Sequence, residues 1–306
     1  MRRWPFILFG LIFVLTLLAE WVSNDRPVFI VANNRLYSPA YREYSKRDFG
    51  ENSDQPVRDY HFIKGFKINP LFPYGAHTLD YDLSSPASPS FKHPLGTDDH
   101  GRDVFARLLY GIRISLIFGF LLAALGIGIA IIVGSIQGYF GGRVDLLVGR
   151  GIEIWASIPS LFLTLIIATP NFFSLIFIML LFNWLSLANT IRVEFLRGRT
   201  LDYVLAARAL GLPAYKIIWR HILPNAIIGV RSYFPFMVSY GLVQLASLNF
   251  LGFGLPFGTP SLGDLLSQAK DNVDAPWIAV SVFSAMLFIL GLLIIISEEF
   301  KHADAR

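Results

Sequence analysis

The chain predicts an all-α membrane protein with six transmembrane helices, on three observations. Of its 306 residues, 54% are hydrophobic and only 16% are charged. The mean hydropathy is +0.53. Apolar runs at 5–23, 115–139, 152–169, 172–190, 226–248 and 278–297 each approach the roughly 20 residues that a helix needs to cross a ~30 Å hydrocarbon core.

The first run follows Arg2 and Arg3, as a secretory leader would. Its end, Leu17-Leu18-Ala19-Glu20-Trp21, is too bulky for a cleavage site, so a retained first span is expected. In the second run Gly128, Gly134, Ser135 and Gly138 form a small-residue edge that lets another helix approach closely. That edge suits packing within the chain or a seam against a second subunit, and the former is expected. The third run opens on Arg150 and Glu153, one turn apart and spaced to pair, and Pro159 should kink it. Only Pro170 and Asn171 separate it from the fourth, which predicts a tight hairpin. The sixth is introduced by Pro276-Trp277, an aromatic at the membrane interface.

Basic residues orient the spans. Arg2, Arg3, Arg143, Arg150, Arg192, Arg197, Arg199, Arg208, Lys216, Arg220, Lys301 and Arg306 fall on one side, against Lys270 in the opposing short connections. The positive-inside rule then makes both termini cytoplasmic. The net charge of +4 reads as topology, and no nucleic-acid partner is expected. The chain has no cysteine, which excludes disulfides and thiolate chemistry. The expected organisation is a first span at 1–23, a long periplasmic loop at 24–114, a core membrane domain at 115–297 with a cytoplasmic loop at 200–224, and a cytoplasmic tail at 298–306.

The long loop is rich in Tyr, Pro, Asp and Asn. Extended pieces such as 28–32 are expected there, without an independent core. Its end is more specific: His93-Pro-Leu-Gly-Thr97-Asp98-Asp-His-Gly101-Arg102-Asp103, then Arg107. The spacings Asp98–Arg102 and Asp103–Arg107 suit pairing on a helix, with Val104, Phe105, Leu108 and Leu109 as its apolar stripe. An amphipathic surface helix leading into the second span is expected, either a gating element or an anchor. His93, His100, Asp98 and Asp99 are expected to form a solvated polar loop with no metal.

Between the fourth and fifth runs lies Leu201-Asp-Tyr-Val-Leu205-Ala206-Ala207-Arg208-Ala-Leu-Gly211, followed by His221, Leu223 and Pro224. Gly211 can close the first helix in a left-handed conformation and Pro213 suits the start of the next. Pro224 is expected to end the segment before the fifth span.

These residues resemble the Glu-Ala-Ala loop of permease subunits of binding-protein-dependent ABC importers. Leu205 stands where that pattern has Glu. The run from Thr97 to Asp103 resembles the Gly-Thr-Asp-x-x-Gly-Arg-Asp motif of the oligopeptide/dipeptide/nickel permease group. Arg150–Ser160, Asn249–Gly254 and Pro260–Asp264 extend the resemblance. Tyr81-Asp-Leu, Gln137-Gly-Tyr-Phe-Gly-Gly and Phe253-Gly-Leu-Pro are similar to the Yej-type subgroup, linked to microcin C and oligopeptide uptake. The resemblance implies a type I ABC importer permease that pairs with a second, related permease. It also implies two ATP-binding subunits docked on the 200–224 loop and a periplasmic binding protein that delivers the substrate. The docking residues it implies are Leu205, Ala206, Ala207, Arg208, Gly211, His221 and Pro224.

No phosphate-binding G-x-x-x-x-G-K-[ST] loop occurs, so ATP and magnesium are expected in the partner subunits and this chain is expected to be non-catalytic with no cofactor of its own. Intramembrane polar groups are costly, which makes Asn183, Asn189, Arg231, Gln244 and Asn249 candidates for a pathway wall. Nickel or another small solute is the alternative cargo. An ATP-independent channel or secondary transporter would be expected to show inverted repeats and mid-membrane ion pairs, and a receptor would act through its first loop alone.

Overall fold

The computed structural model describes residues 2–32, 35–50, 53–57, 59–60, 63, 65–167 and 170–304. Thirteen α-helices are described, joined in the long first connection by a three-stranded sheet. The chain divides into two units: Met1–Phe9, Ser115–Phe257 and Phe288–Arg306 form one, and Gly10–Ile114 with Gly258–Leu287 the other.

Among the described residues two unbroken helices are long and apolar enough to cross a membrane: α3 (Val104–Phe140) and α13, whose qualifying stretch is Pro276–Ala303. Each leaves part of its apolar side exposed, with Leu287 78% and Phe283 61% accessible on α13 and Ile132 52% and Leu125 48% on α3. In water that exposure would cost ~25 cal/mol per Å², whereas lipid offers it no penalty. The sequence expects a kink in one of the other long spans, at Pro159, but all three are bent pairs. α4 (Gly142–Ala156) meets α5 (Ser160–Ile167) at 65°, and α6 (Phe172–Asn183) meets α7 (Leu185–Gly198) at 42°. The helix at Ala214–Val230 meets α11 (Tyr233–Phe250) at 59°. α1 (Trp4–Leu17) is apolar but short at 14 residues, with α2 (Ala19–Val22) after it.

The first bend sits at the expected Pro159, whose ring disfavours helical backbone at the residue before it. At the third, Pro235 lacks the N–H that would bond to the Arg231 carbonyl. The Ser232 carbonyl is met at 2.5 Å by the Ser297 hydroxyl.

In the first unit the small-residue edge packs within the chain. A Cβ on Gly134 would lie 2.6 Å from the Ala188 carbonyl oxygen, and one on Gly138 2.5 Å from that of Arg192. Both thus hold α3 directly against the α7 backbone. Gly128, by contrast, faces open space. At the far end of α3, Gln137 Nε2 donates to the Asp145 carbonyl at 3.1 Å, and Arg192 clasps the Asp145 carboxylate through Nε and, at 2.6 Å, Nη2.

In the second unit β1 (Phe29–Ala32) pairs antiparallel with β2 (Arg35–Tyr37) and β3 (Phe66–Ile68), in the order β2-β1-β3. Contrary to the expectation of no core, Ile30, Ala32, Tyr37, Val57 and Tyr60 are buried together. Aromatic rings do most of this: Tyr37 lies 4.5 Å from Phe49 and 5.3 Å from Tyr44, centroid to centroid. Their irregular spacing in sequence hid the cluster. Arg113 on α3 binds both oxygens of Glu20 at 2.7 and 2.9 Å, and Tyr110 donates to the Ser23 carbonyl, so the end of α2 is tied to α3.

Because Gly138 meets backbone, Gly138→Val should lower stability by about 1–3 kcal/mol. Thermal unfolding in detergent measures this, and Gly128→Val, into open space, should change it little.

Candidate functional site

Three places carry the residues singled out by sequence: the 200–224 loop, a cleft at the helix bends, and the turn before α3.

In the loop, α8 (Asp202–Ala209) ends on Gly211 at φ +76°. Leu212 N donates to Ala207 O and Gly211 N to Arg208 O, the left-handed closure expected. After Pro213 the chain continues as α9 (Ala214–Lys216), a π-helical stretch Ile217–Ile222, and α10 (Leu223–Val230). Here the expectation for Pro224 is corrected. It stands in the first turn of α10 and does not terminate the segment. The wider π turn, in which Leu223 N reaches Ile218 O, ends just where proline has no N–H to give.

Leu205, Ala206 and Arg208 are exposed, but Ala207 is buried, because the same turn packs that face of α8 inward with Val204. Ala207 is therefore a packing residue and not part of an accessible small surface. Arg208 lies over the Tyr139 ring at 5.3 Å. Tyr203 Oη donates to the His221 carbonyl at 3.3 Å and accepts from Asn225 Nδ2 at 3.1 Å, which fastens α8 to the π stretch.

All three bent pairs line one cleft of about 710 Å³. Its polar wall residues are Ser160, Asn183, Ser186, Asn189, Tyr233 and Tyr240, and among the described residues no charged side chain lines it. Of the sequence candidates, Asn183 and Asn189 reach it. Asn183 Nδ2 also donates to the Leu122 carbonyl at 3.1 Å, so part of its amide holds α6 to α3. Gln244 lines an adjoining small cavity and donates to Tyr240 Oη at 2.7 Å. Arg231 instead packs over the Phe300 ring at 5.7 Å. Asn249 accepts from Leu255 N at 2.6 Å and closes the turn after α11. Neither belongs to the cleft wall. The two tyrosines and Ser186 escaped sequence reasoning because only the bends bring them together.

The turn before α3 departs from the amphipathic surface helix expected. Thr97, Asp98, Arg102, Asp103 and Arg107 are all buried. Asp98 Oδ1 accepts from the amides of His100 and Arg102, both at 2.9 Å, and Oδ2 accepts from Arg102 Nε at 2.7 Å. Gly101, at φ +82°, turns the chain so that those amides converge. Arg107 does not pair with Asp103. It reaches Asp98 at 3.4 Å and, on α12 (Leu262–Asp271), Asp264 at 2.6 Å. Asp103 caps α3 by accepting from Ala106 N at 2.7 Å. His93 is enclosed as well, with Nδ1 2.7 Å from Asp103 and Nε2 3.2 Å from Asp80. Of the polar loop expected to be solvated, His93 and Asp98 are thus buried, Asp99 is half-buried and His100 is exposed. Asp98, Asp99 and His100 do lie close together, but both Asp98 oxygens are engaged by amides and arginine, and Asp99 is paired with His100.

Burial raises the Asp103 pKa, while the Asp82 amide and His93 lower that of Asp80. The lowered Asp80 value makes its contribution to stability complete above the ordinary carboxylate range and lost as pH falls through it, below about pH 4. Asp103 acts with the opposite sign. The acid limb of a melting-temperature profile should therefore flatten in Asp80→Asn. Asp98→Asn leaves buried Arg102 without its carboxylate, while Arg107 keeps Asp264, and should cost about 3–5 kcal/mol, read by thermal unfolding at neutral pH.

Residues 126–300, more than half of the chain, match the family model described as binding-protein-dependent transport system inner membrane component. The chain is 39% identical to the inner membrane ABC transporter permease protein YejE of Escherichia coli, over 98% of this chain and 92% of that protein. It is also 39% identical to the peptidoglycan transport system permease protein YejE of Agrobacterium fabrum, over 98% and 88%. The oligopeptide transport system permease protein OppC of Lactococcus lactis is 34% identical over 70% of this chain and 76% of its own length. The inward-facing methionine ABC transporter MetNI shares the fold, with a TM-score of 0.55 at 17% identity over 66% of this chain and 98% of that one. The apolar helices, the bent spans and these likenesses agree: the chain belongs to the family of inner membrane components of binding-protein-dependent transport systems.

Proposed function

We propose that this permease carries peptides or peptide-like compounds inward across the bacterial inner membrane, through the cleft where its bent helices meet. That convergence is the observation that carries the reading. Broken helices at membrane depth are tolerated where they line a cavity, and here all three bends line the same one. Its wall offers amides, hydroxyls and aromatic faces without a formal charge, which suits backbone-rich cargo of varied side chains. A metal cargo would call for histidine or carboxylate ligands, and the wall has none among the described residues. The names of the relatives point to oligopeptides and peptidoglycan-derived compounds.

In this reading six spans cross the membrane: α1 with α2, α3, α4–α5, α6–α7, 214–250 and α13, with both termini cytoplasmic. A second permease completes the passage, two ATP-hydrolysing subunits grip the 200–224 loops, and a periplasmic binding protein supplies cargo. Closure of the ATPases on ATP pushes α8. The push passes through the Arg208–Tyr139 stack to α3 and through Tyr203 to the 214–230 helix, and the passage changes its open side.

Purification from native membranes in mild detergent should recover a second permease and two ATP-hydrolysing chains, with activity stimulated by the binding protein. Recovery as a lone chain or homo-oligomer without ATPase activity would overturn the proposal. Gly211 faces open space, so a side chain there alters the docking surface without a clash. Gly211→Glu should abolish uptake with membrane insertion intact, while Gly211→Asn, which tolerates the left-handed backbone, should retain most of it.

A further inference from the structure

The small sheet has two faces, and only one is accounted for. Ile30, Ala32 and Tyr37 point into the module core. The other face carries Val31 opposite both Leu36 and Phe66, and Phe29 opposite Ile68. Val31 is 43%, Leu36 66% and Phe66 69% exposed. Cross-strand apolar rows of this kind ordinarily pack against something.

What covers this face follows from where it begins. The Trp21 ring, at the end of the first apolar helix, packs edge-on against Phe29 at 5.5 Å. The segment after β3 is bonded back to the same helix end, Leu71 N to Trp21 O and Phe72 N to Val22 O. Leu11, Val14, Leu18 and Trp21 are themselves exposed. One apolar strip therefore runs without interruption from the first helix, through Trp21 and Phe29, onto Val31, Leu36 and Phe66. Tryptophan at the end of a span sits at headgroup level, which brings the adjoining sheet face to the same depth. The core side of the module carries the polar Lys46–Phe49 turn, where Arg47 pairs with Asp54.

We propose that this face of the sheet lies in the headgroup region of the bilayer, so that the module is a membrane-bound platform beside the first span. The occupant is the lipid surface, held as an interfacial amphipathic element is held, by an apolar face sunk among headgroups and upper acyl chains.

The absence of native cysteine makes the test direct. Single cysteines at Leu36, Phe66, Gln55 and Leu11 are spin-labelled in the assembled complex, in phosphatidylethanolamine/phosphatidylglycerol vesicles. Collision with oxygen, which partitions into lipid, is compared with collision with a water-soluble nickel chelate. Labels at L36C and F66C should favour oxygen, whereas Q55C should favour the chelate. Chelate access at L36C and F66C equal to that at Q55C would overturn the proposal in favour of a free aqueous face. Protection from both reagents would overturn it in favour of a protein partner. The proposal rests on membrane insertion of the first helix, which L11C reports separately. Chelate access at L11C would remove that premise and the proposal with it, whatever the sheet positions show.

Discussion

A helix broken inside an apolar environment leaves backbone carbonyls with no water to turn to, and each must find a donor from the protein. Much of the membrane unit is arranged around meeting that demand. The Ser297 hydroxyl serves the Ser232 carbonyl at the third bend. Trp155, beside the first, donates its indole N–H to Leu181 O in the second bent pair. Asn183, at the second, uses its side chain instead to tie that bend to the unbroken α3 through Leu122 O. Each of these bonds crosses between elements, so satisfying the bends also fixes the helices around the cleft.

Charge is handled in a parallel way before α3. Arg102, Arg107 and Asp98, with almost no access to water, are stable only as a closed set with amides filling the remaining lone pairs. The Asp98 turn supplies that set, and Asp264 draws α12 into it. The motif spans eleven residues in sequence but works through a partner more than 150 residues away, which is why its residues are buried where a local reading exposes them.

Legibility in the sequence followed the range of the forces involved. The apolar runs, the Gly211 closure and the Pro159 bend are local consequences of hydropathy and backbone chemistry, and each was readable. Nothing in Asn183-Trp184-Leu185 announces a bend, since no proline or glycine marks it, and so the cleft and its tyrosines were hidden. Asp103–Arg107 was a plausible helical pair that lost to helix capping for one member and a distant carboxylate for the other. Ala207 stands beside Ala206 in the docking set that the resemblance implies, and only the packing of α8 separates the buried one from the exposed one. The buried aromatic cluster of the sheet has no periodicity that a pattern could reveal.

The π stretch Ile217–Ile222 amounts to one extra residue wound into an otherwise α-helical 214–230 segment. Each residue turns an α-helix by about 100°, so this single insertion sets the phase between the loop that leads into the helix and the face that α10 presents beyond it. Ala226 and Val230 are buried in the present phase, and Ile227 and Ile228 are exposed. A chain that slipped the bulge along the helix, or absorbed it, would exchange those faces without breaking a span. The segment thus carries a rotational degree of freedom written as a count of residues, placed directly between the loop and the third bend.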